Sequence, residues 1–83
     1  MKFCIVPGAQ LHDCNVIGTE ISSNINRCVT LCTASEECLS ANYQKSTGIC
    51  ILNAATEIGN GNSFQKGLGA DYIHFTSKKC YSD

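Results

Sequence analysis

Cys28-Val29-Thr30-Leu31-Cys32, then Glu37-Cys38-Leu39-Ser40-Ala41-Asn42-Tyr43, then Gly48-Ile49-Cys50-Ile51-Leu52-Asn53 is the stretch that decides how this chain folds. Ile25, Cys28, Val29 and Cys32 recur at i, i+3, i+4 and i+7, while Asn24, Asn26, Arg27 and Thr30 occupy the other side. The spacing predicts one amphipathic helix over residues 24–34, capped by Ser22 or Ser23. Past Cys38 the period falls to two. Leu39, Ala41 and Tyr43 alternate with Ser40, Asn42 and Gln44 as in a strand with one buried face. Residues 45–48 form a polar turn, and Ile49 to Leu52 return as a second strand, giving a hairpin. Four residues apart on a helix, Cys28 and Cys32 project from one face on successive turns, so they need two different partners. Cys38 lies near enough to fold back onto Cys32, and Cys50 meets Cys28 if the hairpin runs under the helix. Six paired cysteines allow fifteen arrangements, and spacing alone does not choose among them.

Outward from this block the signals weaken. Residues 2–6 read as a short strand that Pro7-Gly8 ends, and residues 15–21 as a second extended stretch. Residues 53–70, with Gly59, Gly61, Gly67 and Gly69, read as a long surface loop holding one short strand around 63–65. Tyr72, His74 and Thr76 alternate with Ile73 and Phe75 in a closing strand, which leaves His74 as a surface residue. The expected class is α+β, a single helix packed on a roughly five-stranded antiparallel sheet.

Composition limits what such a chain can do. Its 83 residues make one domain, too small for burial alone to hold firmly. Seven cysteines point to disulfides and an oxidising, secreted or extracellular setting. A formal net charge of −1 supplies no drive toward nucleic acid or anionic lipid. The longest apolar runs, Phe3 to Val6 and Ile49 to Leu52, are far too short to span a bilayer. Lys2 with that first run imitates an export signal without its length, so the chain reads as one module, residues 1–83, of a larger extracellular protein.

The quoted block resembles the centre of a PAN or apple module. Pro7-Gly8-Ala9-Gln10-Leu11 and Asn15-Val16-Ile17 resemble that family's entry into its helix, and Asp71-Tyr72-Ile73 resembles its closing strand. The resemblance implies a five-stranded antiparallel sheet crossed by one helix. It also implies the pairs Cys28 to Cys50 and Cys32 to Cys38, with Cys4 to Cys80 joining the termini. Cys14 is left over, as a shielded thiol, as the bridge of a disulfide homodimer, or in place of Cys4 as partner of Cys80.

Other chemistries find little support. Zinc could recruit Cys28, Cys32, Cys38 and Cys50, or His12 and His74, but paired Cys-x2-4-Cys knuckles are missing. Cys14 and His12 are the only nearby thiol and imidazole, and no phosphate-cradling or His-Glu-x-x-His motif occurs. No catalytic residue, metal or cofactor is expected. By analogy with the family, the function is non-catalytic protein or carbohydrate recognition, in adhesion for example. A structural tile without its own ligand and a small secreted inhibitor are the alternatives. The ligand surface is expected on the turn at 45–47 and the loop at 60–67, with Lys45, Lys66, Asp71 and Tyr72 as candidate contacts.

Overall fold

A computed structural model describes residues 3–12, 15–57 and 63–75. The elements are β1 (Phe3–Leu11), β2 (Val16–Ile21), α1 (Ile25–Thr33), β3 (Ser40–Gln44), β4 (Ile49–Asn53) and β5 (Phe64–Phe75). They form one five-stranded antiparallel sheet in the order β1-β5-β3-β4-β2, with α1 across one face.

The helix buries Cys28 and Cys32 against Ala41 and Tyr43 of β3, Cys50 and Leu52 of β4, and Ile73 of β5. Its cap is Asn24, whose side-chain oxygen accepts from the Arg27 amide at 2.9 Å. Neither serine caps it. Ser22 is buried at the turn into the helix, where its hydroxyl donates to the Asn24 carbonyl and its amide to the Gly48 carbonyl. That approach explains the glycine, since Gly48 has φ +75° and a Cβ there would sit 3.0 Å from the Ser22 oxygen.

Sulfur then fixes the helix in place. Cys28 is bonded to Cys50, and Cys32 to Cys38. Cys4 is also in a disulfide. The expected Cys4 to Cys80 pair and the state of Cys14 lie outside the described residues.

Three expectations about the strands are corrected. Pro7-Gly8 does not end β1, because β1 is an edge strand, where proline's missing amide costs no ladder bond. Instead Gly8 (φ +69°) opens a bulge: Pro7 lies opposite Asp71, but Ala9 opposite Lys66. Residues 64–70 are not loop. They are the first half of β5, which the glycines concealed, with Gly69 at φ +72° facing the same bend. Finally, β3 is buried on both faces, so Ser40 and Asn42 are as enclosed as Ala41 and Tyr43.

The bend explains that last point. Pro7 pairs with Asp71, which pairs with Tyr43, yet Leu11 touches Asn42. The β1–β5 ribbon has therefore folded back over the face that lacks the helix. There Ala9, Leu11, Ala55 and Tyr72, with Val6 and Phe64 beside them, make a second small core.

Candidate functional site

The helix-free face is half covered and half open. Under the folded arm, alternation turns the Leu11 N–H and C=O away from β5, toward the sheet. Asn42 supplies the missing partner. Its Oδ1 accepts from the Leu11 amide and its Nδ2 donates to the Leu11 carbonyl, each at 2.9 Å. Beside it the Ser40 hydroxyl donates to the Ala55 carbonyl, and the Asn53 carboxamide donates to the Ser40 oxygen at 3.3 Å. These polar groups lock the arm at a defined height above the sheet.

Tyr72 and His74, expected at the surface, are both buried here. Tyr72 is 0% exposed, so it offers no ring to a sugar. Its hydroxyl donates to the Glu57 carboxylate at 2.8 Å and accepts from the Glu57 amide at 3.0 Å. His74 Nδ1 lies 3.0 Å from the same carboxylate oxygen. Burial first, and the Glu57 hydrogen bond next, push the Tyr72 phenol well above its ordinary range. It therefore stays a donor at any pH the protein meets, and the clasp holds the chain leaving Ala55 against β5. Tyr72→Phe strands the Glu57 amide and removes a charge-assisted bond. Urea unfolding is expected to show a loss of about 1.5–3 kcal/mol, and an unchanged midpoint would mean that solvent replaces the clasp at no cost.

The open half is a strip on β4 and β2. Ile21 lies opposite Ile49, Thr19 opposite Ile51, and Val16 opposite Asn53. Ile21 is 76% exposed and Val16 45%. Where the strip meets the arm there is a cleft of about 290 Å3 lined by Gln10, Leu11, His12, Val16, Thr19, Asn42 and Ile51. Its walls are apolar with a hydrogen-bonding rim, since Gln10 Nε2 lies 3.3 Å from His12 Nδ1 at the exposed lip. Among the described residues, no three His, Cys, Asp or Glu side chains gather as metal ligands.

The four expected ligand contacts are not brought together. Lys45 is exposed in the β3–β4 turn, at the Ile21–Ile49 end of the strip. Lys66 is exposed on the arm opposite Ala9. Asp71 is half-buried at the bend and accepts from the Gly8 amide at 3.2 Å, a structural duty. Tyr72 is withdrawn from the list of contacts by its burial. Of the expected ligand loop, residues 60–62 lie outside the described residues and 64–67 belong to β5. The cleft residues Gln10, Val16, Thr19, Asn42 and Ile51 were not anticipated. One signal was present: Val16-Ile17 and Ile21 place branched apolar residues on both faces of a stretch with no second apolar element to cover it.

A helix tied by sulfur to β4 of a five-stranded antiparallel sheet agrees with the family comparison, in which the model of the PAN domain matches residues 2–80. The chain belongs to the PAN domain family. PAN domains are typically protein- or carbohydrate-binding modules of extracellular proteins and are generally non-catalytic. Comparison with curated proteins and comparison with solved structures each returned no match. Among the described residues of this PAN domain, no helix is long and apolar enough to cross a membrane.

Proposed function

We propose that this PAN domain is a non-catalytic extracellular recognition module, and that it takes a protein rather than a glycan on its helix-free face. The supporting observation is the open strip from the Lys45 turn past Ile21, Ile49 and Thr19 to the cleft at Ile51 and Val16. A pyranose presents a flat C–H face that packs best on an exposed aromatic ring. The two described tyrosines, Tyr43 and Tyr72, are buried and lend their hydroxyls to Ser22 and Glu57 instead, and the exposed phenylalanine among the described residues, Phe3, packs on Phe75 at the helix-side core rather than on this strip. Branched aliphatic side chains with a few hydrogen-bonding groups at the rim suit the apolar side chain of a protein ligand.

The test compares the parent with Gln10→Arg, which lays a long charged side chain across the cleft without entering the core. Both proteins are used to pull down partners from extracellular fluid and are applied to a glycan array. The parent is expected to retain a protein partner that Gln10→Arg binds at least about tenfold less tightly, a loss of roughly 1.4 kcal/mol. Glycan binding of equal strength in the two proteins, with no protein retained, rejects this reading.

A further inference from the structure

The exposed charges of the described residues divide between the two faces. Glu20 lies opposite Cys50 and so shares the helix side, while Glu36 and Glu37 stand in the connection from α1 to β3, with Arg27 on α1 itself. The helix-free side carries Lys45 in the β3–β4 turn and Lys66 on the arm. No exposed carboxylate accompanies them among the described residues, because Glu57 and Asp71, both half-buried, are taken up by the Tyr72 hydroxyl and the Gly8 amide. Among the described residues neither lysine has a carboxylate within ion-pair distance. A face that gathers cations without carboxylates of its own favours the opposite sign on whatever docks there.

We propose that the segment bound on this face is acidic: an extended stretch of a partner protein with an aliphatic side chain in the cleft and a carboxylate at Lys45. The proposal rests on the reading of the cleft as a protein site and names what that protein presents to it. The spacing follows from the ladder. Gln44 lies opposite Ile49, and Asn42, on the cleft wall, lies opposite Ile51. Lys45 therefore stands three residues from the cleft along β3, roughly 10 Å at the rise of a strand. Side chains two and four residues apart on one side of an extended segment span roughly 7 and 13 Å, which brackets that distance. The flexible stem of lysine takes up the difference.

The two contacts do different work. An exposed ion pair changes affinity by no more than about fivefold, so the aliphatic side chain anchors and the carboxylate selects. A lysine or arginine in its place meets Lys45 as a like charge. Lys66 lies on the arm but does not line the cleft; it adds to the field that steers an anionic segment toward this face.

Three capped nonapeptides test this by amide chemical-shift titration of the intact chain. The first is Glu-Ser-Glu-Ser-Leu-Ser-Glu-Ser-Glu, whose symmetry serves either chain direction and either spacing, and the others carry Lys or Gln at every Glu. The acidic peptide is expected to shift Thr19, Ile51 and Lys45 and to bind at least about fivefold more tightly than the lysine peptide, an advantage that shrinks in about 0.5 M salt. Lys45→Glu, in an exposed turn, is expected to reverse the order of the two charged peptides. Equal shifts of Thr19 and Ile51 by all three peptides overturn the acidic assignment and leave the cleft reading standing. An order that survives Lys45→Glu also overturns it. If the acidic peptide binds as tightly with serine in place of its leucine, or if no peptide shifts Thr19 and Ile51 at up to roughly 5 mM, the cleft is not an apolar anchor and both readings fall. A heparin tetrasaccharide that shifts Lys45 and Lys66 where the acidic peptide does not assigns these cations to sulfate and overturns the proposal.

Discussion

A Cys28→Ala/Cys50→Ala double variant is expected to melt roughly 12–25 °C below the parent. The bridge closes a loop across a sequence separation of 22 residues, which restricts the unfolded chain by roughly 3 kcal/mol in the chain-entropy account. In a domain of this size each kcal/mol moves the melting temperature by roughly 4–8 °C. Both cysteines are 0% exposed, and the bridge they form is what ties α1 to β4. Replacing Cys32 and Cys38, separated by only 6 residues, removes roughly 2 kcal/mol by the same reasoning and should shift melting less. Calorimetry of the two double variants checks both the size and the order. Equal shifts would indicate that loop length is not what matters here. No shift in either would mean that packing alone holds the helix to the sheet.

Asn42→Leu is expected to cost about 2–5 kcal/mol, although leucine is close to asparagine in size. The substitution leaves both the amide and the carbonyl of Leu11 without their partner, and Leu11 is 0% exposed, so water does not replace it. Each buried backbone group left unpaired costs about 1–3 kcal/mol. Asn42→Asp sharpens the test. A carboxylate there still accepts from the Leu11 amide but faces the Leu11 carbonyl with another oxygen, whereas the protonated acid donates to it as the amide did. The native environment therefore raises that carboxyl's pKa, and a raised pKa means stability present at low pH and lost as pH climbs through the folded value. Urea midpoints of this variant should fall between about pH 4 and 7, while those of the parent over the same range set the baseline. If Asn42→Leu unfolds at the parent's midpoint, the arm does not depend on its carboxamide.

What could be read from the sequence was the sulfur-rich centre. The helix appeared at Ile25–Thr33 because its apolar positions repeat at the helical period, and the hairpin appeared because the period then changes to two around a polar turn. The arm was hidden for a physical reason. Gly67 and Gly69 look like loop residues in sequence, but a ribbon that must bend through 67–70 requires positive φ there, as Gly69 shows. Asn42 was assigned to a solvated face because polarity is ordinarily a surface signal. Its burial depends on Leu11, 31 residues away, and no local pattern records that. Tyr72 and His74 were misplaced for the same reason, since Glu57 reaches them from a segment without periodicity. The exposed Val16, Ile17 and Ile21 hinted at the open strip, but the cleft itself stayed hidden with the arm, because one wall is the arm.

The bridge from Cys28 enters the sheet at β4, next to β2, yet β2 itself carries no described sulfur link. Its attachment is one ladder of backbone bonds, which is indifferent to side-chain identity. Natural variation can therefore rewrite that ribbon's outward chemistry almost residue by residue while the knotted interior stays as it is. Descendants of such a chain are free to diverge in whom they recognise long before they diverge in shape.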